Sequence, residues 1–143
     1  MSILENMLYT TILLSIIILV IMYKENFVIK QRYDPMLLGI KNSLIPIIPD
    51  INSIDIRSDR ESYTLNKSRI HLCMKHKETG EYYDRNFLIY VLLHEIAHLK
   101  NHRDVGHTPT FYNIFNELLT GANKLGIWDP KKPLLKSYCG RNY

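Results

Sequence analysis

Residues 90–111 read YVLLHEIAHLKNHRDVGHTPTF. They decide the fold, because they join an apolar helix to a second helix start through a connector that holds a glycine. His94, Glu95 and His98 spell H-E-x-x-H inside the apolar run. On an α-helix, positions four apart share a face about 6 Å apart along the axis, so the two imidazoles can converge on one ion. Glu95 projects to the edge of that face, within reach of a water at the ion rather than of the ion itself. Neutral nitrogen ligands beside a carboxylate base are the division of labour a zinc hydrolase needs. In a chain of this composition the motif arises by chance with a probability of about 0.01. The bland alternative is a pair of buried structural histidines, but two imidazoles and a carboxylate in an apolar setting are costly unless something compensates them.

A catalytic zinc needs a third protein ligand and an open position. His102, Asp104 and His107 are the candidates. His102 lies about 12 Å along a straight helix from His94, too far for bonds of about 2.1 Å, and is expected to face solvent. His107 follows Gly106, where the chain can reverse, and is the expected ligand, with Asp104 as the alternative. His71 and His76 are expected on an edge strand and in a loop.

Asp84 is the expected cap of the motif's helix, placed at about residues 85–101. Thr108 and Pro109 open the next helix, whose stripe Phe111, Ile114, Phe115, Leu118 and Leu119 reads as core packing, ending at Gly121 or Gly126. Upstream, Asp34 and Pro35 start another helix that stops before Pro46. Between them, residues 53–57, 62–65 and 69–74 alternate as two or three strands of a small antiparallel sheet. The expected class is α+β.

Residues 6–23, NMLYTTILLSIIILVIMY, carry no charge and would span about 27 Å as a helix, close to the hydrocarbon thickness of a bilayer. A signal peptide should begin with positive charge and end in small residues, and a core helix should show a polar face; neither holds here, so a transmembrane anchor is expected. Lys24, Lys30, Arg32 and Lys41 follow it, which by the positive-inside tendency puts the remainder on the cytoplasmic side or its equivalent in an internal or viral membrane. The organisation read from the sequence is therefore an anchor at 6–23, a connector at 24–33, a domain at 34–130 and a proline-broken tail at 131–143. The net charge of +4 is scattered, with no basic stripe, so no specific nucleic-acid partner is expected. Cys73 and Cys139 form no C-x-x-C pair and read as two buried or inert thiols in preference to a bridge between them, which fits a reducing compartment.

From residue 70 to residue 119, the patterns I-x-L-C-M, G-E-Y-Y, V-L-L-H-E-I-A-H-L and G-H-T-P-T-F-Y-N-I-F-N-E-L-L resemble the WLM and SprT-like group of zinc metallopeptidases. The whole chain also looks like small membrane-anchored members of that group encoded by large DNA viruses. The resemblance implies a minimal zincin-like domain in which His94, His98 and His107 bind Zn2+ and Glu95 is the general base. It further implies that strand 69–74 lies beside the cleft, where a protein or peptide substrate could add as an extended strand. Tyr112 or another cleft hydroxyl would assist as oxyanion donor. The chain departs from SprT-type repair proteases in having an apolar segment and no zinc ribbon. The rival reading is a non-catalytic, membrane-tethered zinc-binding scaffold or assembly module.

Overall fold

A computed structural model describes residues 2–142, with the side chains of residues 141 and 142 left undescribed. The chain divides into two units, one up to Gln31 and one from Arg32 onward. The first unit is the body of helix α1, Ile3–Arg32, which has no buried residue and is long and apolar enough to cross a membrane. It continues through most of the connector read at 24–33, because Lys24 to Gln31 contains neither Pro nor Gly to stop it.

The second unit holds helix α2 (Pro35–Leu44), strands β1 (Asp55–Asp59), β2 (Tyr63–Leu65) and β3 (Arg69–Cys73), helices α3 (Arg85–Lys100) and α4 (Pro109–Lys124), and a terminal pair β4 (Ser137–Tyr138) and β5 (Arg141–Asn142). The class is α+β. Local chemistry sets the helix starts: Asp34 accepts from Leu37 N, Asp84 from Asn86 N and Phe87 N, and Thr108 from Phe111 N. Helix α3 is apolar nearly all round because it is covered on several sides, by β2 and β3, by α4 and by α2. Phe87, Leu88, Leu92, Leu93 and Ile96 are buried there, and Phe111, Phe115, Leu118 and Ala122 of α4 close the same core.

The sheet corrects two expectations. Its order is β1-β3-β2, with β1 and β3 parallel and β2 antiparallel to β3. It is therefore mixed rather than antiparallel, and β3 is the central strand rather than the one open to a substrate. The chain leaves β1, crosses the end of β3 in residues 60–62 and returns as β2. Four Cα steps of up to about 3.8 Å comfortably cover the two strand spacings of about 4.8 Å that separate β1 from β2. Ser62 fixes the crossing, its Oγ accepting from Cys73 N at 2.8 Å. His71, expected on an edge, is consequently central and 8% exposed, with Nδ1 2.7 Å from Asp59 Oδ2 and its ring stacked on Tyr63 at 4.5 Å. His76 does lie just past the sheet, its ring 3.8 Å from that of Tyr83.

The cysteines bring a third correction. Cys73 and Cys139 are joined by a disulfide, so they are not two separate thiols, and they no longer argue for a reducing compartment. Their separation of 66 positions hid the pairing, which depends on the tail folding back onto the end of β3. Tyr138 is buried, its hydroxyl 2.6 Å from Ser62 Oγ and donating to Cys73 O at 2.5 Å, while Cys139 N donates to Tyr83 Oη at 3.0 Å. The segment read as a tail thus completes the core.

Candidate metal centre

Helix α3 presents His94 and His98 one turn apart, and the connector after it returns His107 to the same point. The three Nε2 atoms form a nearly equilateral triangle: 3.1 Å from His94 to His98, 3.2 Å from His98 to His107 and 3.1 Å from His107 to His94. Nitrogens bound tetrahedrally to one zinc at about 2.0–2.1 Å lie about 3.3–3.4 Å apart, so the spacing fits a shared ion. It fits a hydrogen-bonded trio poorly, since neutral imidazoles meeting at one point through the same nitrogen cannot all be both donor and acceptor.

Electrostatics favour the neutral, ligating form. Burial pushes His94 down to about 4, with His98 and His107 adding to the effect. His98 is lowered by burial, then by His107 and Lys67. A cation at the triangle would replace the missing charge without a proton.

Phe111 supports the triangle from below. Its ring centroid lies 5.0 Å from that of His94, 4.3 Å from His98 and 4.9 Å from His107, and the residue is fully buried. Phe115 adds an edge contact to His94 at 5.3 Å. Reading the α4 stripe as core packing captures their burial but not this second task.

Glu95 is 6% exposed and faces β2. Thr64 Oγ1 lies 2.7 Å from its Oε2 and 3.2 Å from its backbone carbonyl oxygen. A three-residue strand with one threonine carries no sequence signal of such a role. Placing Thr64 required the order of the sheet, which puts β2 rather than β3 at the edge nearest α3's glutamate.

The other candidates stand elsewhere. Asp104 does not join the histidines: its Oδ1 accepts from Asn101 Nδ2 and from Thr108 Oγ1 (2.7 Å), and these bonds, that of Thr108 foremost, hold its carboxyl below the usual range. His102 is exposed. Tyr112 is exposed, with its ring 6.2 Å from that of His107, beside the triangle rather than under it. Gly106 has φ +87°, the left-handed conformation that lets the connector turn immediately before His107.

Similar proteins come from viruses. The chain is 49% identical over 88 residues to Uncharacterized protein 042R of Invertebrate iridescent virus 3, a stretch covering 62% of this chain and 55% of that protein. It is 48% identical over 88 residues to Uncharacterized protein 136R of Invertebrate iridescent virus 6, covering 60% and 49%. To Uncharacterized protein R325 of Acanthamoeba polyphaga mimivirus it is 30% identical over 125 residues, covering 82% and 59%. No family model and no solved structure matches. The chain spans about half the length of the curated relatives it matches.

Proposed function

We propose that this chain is a membrane-anchored zinc metallopeptidase of the H-E-x-x-H type, akin to the WLM and SprT-like group. The observation that carries the reading is the Nε2 triangle of His94, His98 and His107 with the Glu95 carboxylate on the adjoining position of α3. When bound, Zn2+ would lower the pKa of a coordinated water towards about 7 and polarise a substrate carbonyl. Glu95 would take the proton of the attacking water and return it to the leaving amine as the peptide bond breaks. Thr64 would keep the carboxylate turned to that task. An extended peptide would add along the outer edge of β2, which among the described residues pairs only with β3. Tyr112, whose ring lies 6.2 Å from that of His107, would serve as an oxyanion donor.

Helix α1 would hold this chemistry at a membrane surface. The lysines and arginine that follow the apolar segment argue for the cytosol-facing side, whereas a Cys73–Cys139 bond persists most readily on an oxidising side. Labelling of an engineered cysteine at exposed Val105 with a membrane-impermeant maleimide, in sealed vesicles, decides between them.

The test of the activity compares purified full-length wild type, Glu95→Gln and His98→Ala for zinc content and for cleavage of an unfolded protein. Glu95→Gln should keep zinc and lose hydrolysis, and His98→Ala should lose both. A Glu95→Gln protein that cleaves as fast as wild type overturns the mechanism. A zinc-loaded wild type that cleaves nothing favours the scaffold.

A further inference from the structure

We propose that Lys67 is a positioning residue of the metal centre, carried by the β2–β3 turn to hold the connector that delivers His107. This rests on the three histidines being a metal site. The turn spans residues 66–68, with Leu65 paired to Arg69, and is closed by Ser68 N donating to Leu65 O at 3.0 Å. Asn66 and Lys67 both have positive φ, 49° and 51°, the left-handed conformation. Asparagine tolerates that conformation, and glycine adopts it freely. A lysine there is strained by its own Cβ.

The side chain accounts for the departure. Lys67 Nζ donates to Asn101 O at 2.5 Å and to Asp104 O at 2.9 Å. Asn101 caps the C-terminus of α3, directly after the helix that carries His94 and His98, and Asp104 stands three positions before His107. The ammonium group therefore joins both ends of residues 101–104 to the sheet, and it does so where a helix C-terminus favours a cation. The Asp104 carboxylate extends the network across His107 to Thr108 Oγ1, the cap of α4.

His107 needs such a device. It is exposed, follows a glycine with positive φ, and belongs to no helix or strand. It meets the other two imidazoles and the rings of Phe111 and Tyr112. Ordering the connector during folding spares the ion that entropic cost at binding.

Lys67→Gly in the full chain, kept in detergent or nanodiscs, separates positioning from structure. Glycine relieves the positive φ, so the metal-free variant should melt at the wild-type temperature or above. Its zinc affinity, measured by competition with a chromophoric chelator, should fall about tenfold, equivalent to about 1.4 kcal/mol. Amide exchange across residues 102–107 should quicken, and Lys67→Arg should recover part of the affinity. Unchanged affinity in Lys67→Gly, with zinc bound by wild type, overturns the clamp and leaves the peptidase reading standing. Lower affinity matched by a lower melting temperature also overturns it, because Lys67 would then be a general structural residue. A wild type that binds no zinc overturns both readings.

Discussion

Thr64 Oγ1 on β2 lies 2.7 Å from Oε2 of Glu95 on α3, so an edge strand and the motif's helix meet at the residue read as the base. Such a hydrogen bond favours one carboxylate rotamer, and losing it costs about 1 kcal/mol of net interaction. Thr64→Val keeps the shape and removes the hydroxyl. We expect kcat/KM to drop about five- to tenfold with zinc content unchanged, and Thr64→Ser to stay near wild type. Steady-state cleavage of a fluorogenic peptide, with metal analysis of the same samples, checks both.

Phe111 touches all three imidazoles, so its truncation should be felt twice. Phe111→Ala removes a fully buried ring from the core, at a cost of about 3–5 kcal/mol. Phe111→Leu keeps most of the apolar volume and should cost about 1–2 kcal/mol, yet it removes the flat face on which His98 stacks at 4.3 Å. Zinc affinity in Phe111→Leu should therefore fall several-fold while the chain remains folded. Chelator competition alongside urea unfolding reads the two effects apart.

What could be read from the sequence was what local chemistry fixes. Asp34, Asp84 and Thr108 cap helices because a side-chain oxygen two or three positions before an unpaired N–H acts without the rest of the fold. His94 and His98 could be paired for the same reason, since helix period alone puts them together. The direction of β1 could not be read, because alternation tells which side chains share a face and nothing about strand order. Thr64, Lys67 and Phe111 stayed hidden because each does its work across the fold, against residues 31, 34 and 37 positions away for the first two. The Cys73–Cys139 pair was misread because its closeness is made by Tyr138 docking, a tertiary event with no local signature.

In the metal-free protein burial holds His94 near 4, against 6.5 for an ordinary imidazole. Between these values the unfolded chain binds a proton that the folded state refuses, so stability rises with pH. This contribution is fully present above about 6.5 and is lost as pH falls towards about 4. Chelator-treated protein should melt at progressively lower temperature across that window. His94→Gln should flatten the slope without abolishing it, because His98 is shifted in the same sense.

Joining Cys73 to Cys139 closes a loop of 66 positions, for which chain entropy gives a stabilisation of about 4 kcal/mol, commonly realised as about 2–4. The bond also holds Tyr138, whose hydroxyl meets both Ser62 Oγ and Cys73 O where the chain crosses from β1 to β2. That crossing leads directly into the strand bearing Thr64. Reduction should therefore lower the melting temperature of the full chain and free the terminal segment for proteolysis, while the triangle, built on α3, its connector and α4, keeps its zinc below the new melting point. Differential scanning calorimetry with and without dithiothreitol, followed by limited proteolysis and metal analysis of the cooled samples, tests each part. An unchanged melting temperature in the reductant, with both thiols shown to be free, would remove the bond from the account of stability.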